Sequence, residues 1–108
     1  MSVSKDFLEY IIDQLSEWGG VTSRKLFGGA GLYRDNKMFG LVADNVVYLK
    51  VDKTSKDKFI LAGSSPFKPF PNRPTIMSYF ELPPDILENP EALIEWSKES
   101  LSIQMQKK

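Results

Sequence analysis

The chain passes from helical to strand-like spacing and back. Phe7, Leu8, Ile11, Ile12, Leu15 and Trp18 recur on one stripe of a 3.6-residue period, which predicts a helix over 4–18. Ser4 stands where a cap is needed, Asp6 lies in the first turn where the helix dipole favours a negative charge, and Gly19-Gly20 ends the element. Trp18 continues the stripe and reads as a core anchor. Over 26–51 the pattern becomes three apolar runs separated by Asp35-Asn36 and Asp44-Asn45. Asp and Asn tolerate the positive φ that two-residue hairpin turns require, so the stretch predicts a three-stranded meander, with residues 24–27 as its lead-in.

The turns fix a register. With two-residue loops Arg34 faces Lys37 and Ala43 faces Val46, and directly paired residues share a face. One face then carries Gly31, Tyr33, Met38, Gly40, Val42, Val47, Leu49 and Val51. The other carries Leu32, Phe39, Leu41, Ala43, Val46 and Tyr48, rimmed by Arg34, Lys37 and Lys50. A sheet with one wet face alternates apolar with polar, and this one does not, so both faces call for cover. Gly31 and Gly40 fall opposite each other in this register. That pairing would let a helix approach closely, and it puts the helices on the face of Tyr33, Met38 and Leu49.

Beyond the meander, residues 52–62 predict a second helix, with Asp52 or Thr54 as cap, Phe59 and Ile60 as anchors and Gly63 as stop. Residues 64–75 carry Pro66, Pro69, Pro71 and Pro74 with Phe67 and Phe70 between them, which predicts a loop or edge strand pinned by two phenylalanines. Residues 76–82 read as a strand broken by Pro83-Pro84, with a short helical turn over 84–88. Asn89-Pro90-Glu91 is a helix start, and the last helix carries Leu93, Ile94, Trp96, Leu101, Ile103 and Met105, its Gln-Lys-Lys end fraying. The order is α-βββ-α-ββ-α. It predicts one domain over 1–108, a two-layer α+β arrangement of helices against an antiparallel sheet of about five strands.

Composition narrows the chemistry. The 108 residues include 14 basic and 14 acidic side chains, no cysteine and no histidine. Disulfides, zinc fingers and thiol nucleophiles are excluded, and the commonest general base is missing. Zero net charge argues against non-specific binding to polyanions. No apolar leader or bilayer-length run is present, so a soluble cytoplasmic protein is expected, with no membrane contact and no cofactor. Gly28-Gly29-Ala30-Gly31 is not a phosphate loop: a third fingerprint glycine would fall at Arg34, a hairpin follows, and Gly-Lys-Ser/Thr is absent. A bend or bulge entering the sheet explains these glycines. Asp35, Asp44 and Asp52 sit where turns and caps need them. Lys50 and Tyr79 are the remaining candidates for a base, without an identifiable partner, so no catalytic or metal site is expected.

Leu26-Phe27-Gly28-Gly29-Ala30-Gly31-Leu32-Tyr33-Arg34-Asp35, Met38-Phe39, Val47-Tyr48-Leu49-Lys50-Val51-Asp52 and Met77-Ser78-Tyr79-Phe80-Glu81-Leu82-Pro83 together resemble the TfoX/Sxy N-terminal domain family. Ala62-Gly63, Pro66-Phe67 and Ala92-Leu93-Ile94-Glu95-Trp96 extend the likeness over most of the chain. Phe27, Gly28, Gly29, Gly31, Tyr33, Met38, Leu49, Lys50, Ser78 and Tyr79 carry the signature, and Leu26 stands where the family usually has Met. The resemblance implies a five-stranded antiparallel sheet, laid out as in type III secretion chaperones. It also implies a link to regulators of natural competence that act with a cyclic-AMP-dependent transcription activator. It carries over no catalytic residue.

Three functions follow as expectations. The first is a non-enzymatic regulatory domain that binds a protein, such as a transcription regulator or a second copy of itself, through Leu32, Phe39, Leu41 and Tyr48 with Arg34, Lys37 and Lys50 around them. The second is a nucleic-acid module in which Arg24, Lys25, Arg34, Lys37 and Lys50 line an edge beside Tyr33 or Tyr48. The third, an enzyme, ranks last. A chaperone-like adaptor rests on fold analogy alone.

Overall fold

The computed structural model describes residues 4–26, 28–67 and 76–106. Phe27, Pro69, Phe70, Pro71, Pro74 and the final Lys107-Lys108 lie outside them. Helix α1 spans Lys5–Gln14. Ser4 caps it, its hydroxyl accepting from the Phe7 amide at 3.1 Å. The chain continues to Trp18 in tighter turns, the Ser16 amide donating to Asp13 and that of Trp18 to Leu15, so the regular helix ends sooner than the apolar stripe suggests. Gly19 at φ 74° and Gly20 at φ 76° then reverse the chain.

Strands β1 (Thr22–Leu26), β2 (Gly29–Arg34), β3 (Lys37–Ala43) and β4 (Val46–Lys50) follow as an antiparallel meander. Asp35, Asn36, Asp44 and Asn45 have φ of 54°, 63°, 52° and 58°, so both Asp-Asn pairs form the two-residue turns read from the sequence. Helix α2 is Lys56–Leu61, later than 52–62. The preceding residues form a turn held by the Asp52 carboxylate, which accepts from the Thr54 and Ser55 amides and the Thr54 hydroxyl. Phe59 is buried, whereas the expected anchor Ile60 is half exposed because it points off the sheet. Pro66–Phe67 forms β5 and Ile76–Glu81 forms β6, giving a six-stranded sheet in the order β1-β2-β3-β4-β6-β5. Helices α3 (Pro84–Leu87) and α4 (Pro90–Gln106) complete the chain, with Asn89 capping α4 through the Ala92 amide at 3.1 Å.

The register expected from the turns holds between β3 and β4, where Ala43 pairs with Val46 and Gly40 with Leu49. Between β2 and β3 it holds only next to the turn. Arg34 pairs with Lys37 and Tyr33 with Met38, but Leu32 pairs with Gly40 and Gly31 with Leu41. Phe39 is therefore an extra residue, a β-bulge that sets Phe39 and Gly40 on the same side of the sheet. Gly40 suits this position because a Cβ there would lie 2.8 Å from the Tyr48 carbonyl oxygen and 2.9 Å from the Leu49 side chain. The predicted opposition of Gly31 and Gly40 does not occur. Gly40 lies under Leu49 and Leu32, and the space over Gly31 is filled by the Tyr33 ring and the Met38 sulfur.

The main core lies between the sheet and the helices. It joins Leu32, Phe39, Val42, Val47, Leu49, Val51 and Phe80 of the strand region to Ile11, Leu15, Phe59, Leu93, Ile94 and Leu101 of the helices. Trp18 packs edge-on against Phe39 with ring centroids 5.4 Å apart, and Phe59 against Trp96 at 4.9 Å. The cover predicted for Leu49 is thus present, but Tyr33 and Met38 face the other way, since one extra residue at Phe39 reverses everything between it and β2. Among the described residues, no helix is long and apolar enough to cross a membrane.

Candidate functional site

Opposite the helices lies a second cluster made of strand residues only: Leu41, Ala43, Phe67 and Tyr79, with Met38 and Tyr48 partly buried against it. Phe67 reaches it because β5 pairs with β6, and its ring stands 4.9 Å from that of Tyr48. Tyr79 pairs with Lys50, whose ammonium lies 5.3 Å from the Tyr79 ring centre. At the β2 side the Arg24 guanidinium sits 4.8 Å over the Tyr33 ring. This face therefore combines aromatic rings with cations resting on two of them, each favourable through the ring quadrupole.

One helical residue reaches the end of this face. Gln104 of α4 donates to the Met38 carbonyl at 2.6 Å and to the Tyr79 hydroxyl at 3.0 Å. Burial, followed by the nearby Tyr33 hydroxyl, pushes the Tyr79 phenol up to about 12. Burial also raises the Tyr48 phenol, with the Glu81 and Asp44 carboxylates adding to the effect. Both keep their protons at neutral pH, which suits packing and hydrogen bonding better than proton abstraction.

The seven residues grouped from the sequence as one surface divide between the two faces. Phe39 and Leu32 are 0% and 1% exposed beneath the helices. Arg34 also turns to the helical side, its Nε donating to the Gly19 carbonyl at 2.8 Å and its guanidinium lying 4.6 Å from the Trp18 ring centre. Lys37 is exposed beside the turn. Leu41, Tyr48 and Lys50 remain on the face that is helix-free among the described residues. The bulge is the reason: counting alternation straight through Phe39 transposes Leu32 and Phe39 with Tyr33 and Met38.

Among the signature positions, Leu49 is fully buried in the main core, and the Ser78 carbonyl accepts from the Val51 amide at 2.8 Å. Gly28 takes φ 81°, and a Cβ on Gly29 would collide with the Val42 carbonyl, so both glycines serve the entry into the sheet. Asp35 lies 3.2 Å from Arg34 in its turn. Hydrogen bonds from the Ser55 amide and the Thr54 side chain hold the Asp52 carboxyl below its ordinary value. Among the described residues no three acidic side chains gather as a metal site would need. Sequence reasoning placed Arg24 beside Tyr33, and the regular β1–β2 pairing brings them together. It held no sign of the reach of Gln104, which depends on how α4 packs against the sheet.

A comparison with curated proteins found no match. A model of the TfoX N-terminal domain matches residues 13–103, a span that takes in the glycine-bearing entry to the sheet, all six strands and most of α4. That match covers most of the chain, in accord with the order of elements described above, and the chain belongs to the TfoX N-terminal domain family.

Proposed function

We propose that the chain is a non-enzymatic regulatory domain that binds another protein through its helix-free sheet face, as a competence-regulator-like module. The carrying observation is the one-sided cover. The helices bury one face, while Tyr33, Met38 and Tyr48 on the other are only half buried. Half-buried aromatics flanked by cations are the composition of interface anchors. Family membership supports a transcription regulator as the partner, and the turn and capping duties of Asp35, Asp44 and Asp52 support the non-enzymatic reading.

The test uses the tagged chain and the purified cyclic-AMP-dependent transcription activator of the source cell. Association should occur with the wild type and weaken about tenfold or more in Tyr48→Glu and Met38→Glu, with the fold retained by circular dichroism. Association unchanged by both substitutions sinks the face. A second reading, single-strand nucleic-acid binding, draws on the exposed Arg24 over the half-buried Tyr33, a cation beside a ring on which a base could stack. Fluorescence anisotropy with labelled oligonucleotides at low salt separates it from the first.

A further inference from the structure

We infer that the outer edge of β1 is a docking site for an extended peptide segment that alternates acidic with apolar side chains, added to the sheet as a seventh strand. β1 stands at the end of the strand order, and among the described residues its only ladder is the one with β2. Thr22 to Lys25 are exposed. An edge of this kind offers a row of backbone donors and acceptors to a further strand.

The two sides of that edge differ. On the helical side a groove of about 450 Å³ runs between α1 and β1, lined by Leu8, Glu9, Ile12, Asp13, Ser16 and Ser23. Its direction suits an added strand. The Ser4 amide bonds to Asn45 at one end of the sheet, and the Gly19 carbonyl bonds to Arg34 at the other, so α1 lies along the strands. Ser23 pairs with Leu32, a helix-side residue, and Arg24 pairs with Gly31 on the opposite face. A strand laid beside β1 therefore sends alternate side chains over Leu8 and Ile12, where apolar groups fit. The intervening ones lie beside Arg24, where a carboxylate fits.

A second copy of this chain is the poorer occupant. Pairing β1 with itself antiparallel about Arg24 sets guanidinium opposite guanidinium, and pairing about Lys25 sets ammonium opposite ammonium. Charged edge residues of this kind discourage self-association while leaving an acidic partner attractive. This edge is separate from the sheet face proposed above, and neither reading needs the other.

The probe is a blocked heptapeptide of alternating valine and glutamate, compared with its valine–lysine counterpart and with a version N-methylated at alternate amides. The acidic peptide should bind about tenfold tighter than the basic one, and N-methylation should abolish binding. Binding should slow hydrogen exchange at the 22–25 amides. Arg24→Glu should reverse the charge preference, and Tyr48→Glu should leave it unchanged. Equal binding of both peptides, no binding of either, or protection of β1 by dimerisation without peptide would each overturn the proposal.

Discussion

Ser97 and Ser100, three residues apart on α4, make opposite contributions to stability. Both are buried, but the Ser100 hydroxyl donates to the Lys50 carbonyl at 2.8 Å, whereas the Ser97 hydroxyl has no hydrogen-bond partner among the described residues. A buried hydroxyl left unpaired costs more than the small void its removal leaves, and a paired one contributes about 1 kcal/mol. Ser97→Ala should therefore raise the melting temperature by about 4 °C, and Ser100→Ala should lower it by a similar amount. Calorimetry on the two variants checks the pair; equal shifts of one sign would refute the distinction. Tyr79 gives a pH signature at the same scale. Its phenol titrates at about 12 in the fold against an ordinary 10.0, so the folded state holds the proton longer than the unfolded chain does. The stability this contributes is complete below pH 10 and declines as pH rises through 12. In an ultraviolet titration one of the four tyrosines should ionise last, and Tyr79→Phe should remove that final step.

Each hairpin turn places two non-glycine residues at positive φ, a conformation that glycine adopts without steric cost. Asn36→Gly should stabilise the domain by roughly 0.5–1 kcal/mol. Asn45→Gly should gain less, because the Asn45 side-chain oxygen accepts the Ser4 amide at 2.9 Å and ties α1 to the sheet. Urea melts of both variants measure the difference, and a larger gain at Asn45 would contradict it. These turns were legible because φ preference is local, written in two residues each. The caps at Ser4 and Asn89 were legible for the same reason. The bulge at Phe39 was not, because it answers to packing between distant elements: the extra residue brings Phe39 under Trp18, and only the glycine after it can sit so near the Tyr48 carbonyl. The α+β order and the helix side of Leu49 could therefore be read from the chain, but the facing of Leu32, Phe39, Tyr33 and Met38 could not. The candidate surface inherited that error in Leu32 and Phe39 and kept Leu41 and Tyr48.

Across the whole molecule the sheet divides the apolar side chains into two unequal stores, and they should differ in what their loss costs. A domain of this size is stable by about 5–15 kcal/mol. Phe39 is fully buried at the bulge, packed edge-on against Trp18 within the main core, so truncating it opens a cavity that its close-packed surroundings cannot close. Phe39→Ala should cost about 3–5 kcal/mol, a large part of the total. Tyr48 rests on the helix-free face with Phe67 beside it and its phenol partly exposed, so much of what it touches can relax. Tyr48→Ala should cost no more than about half as much. If the helix-free face were an equal second core, the two costs would match. Equilibrium unfolding of both variants therefore decides whether Tyr48 serves to hold the fold together or is available for a partner. A loss at Tyr48 as large as that at Phe39 would assign it to the fold.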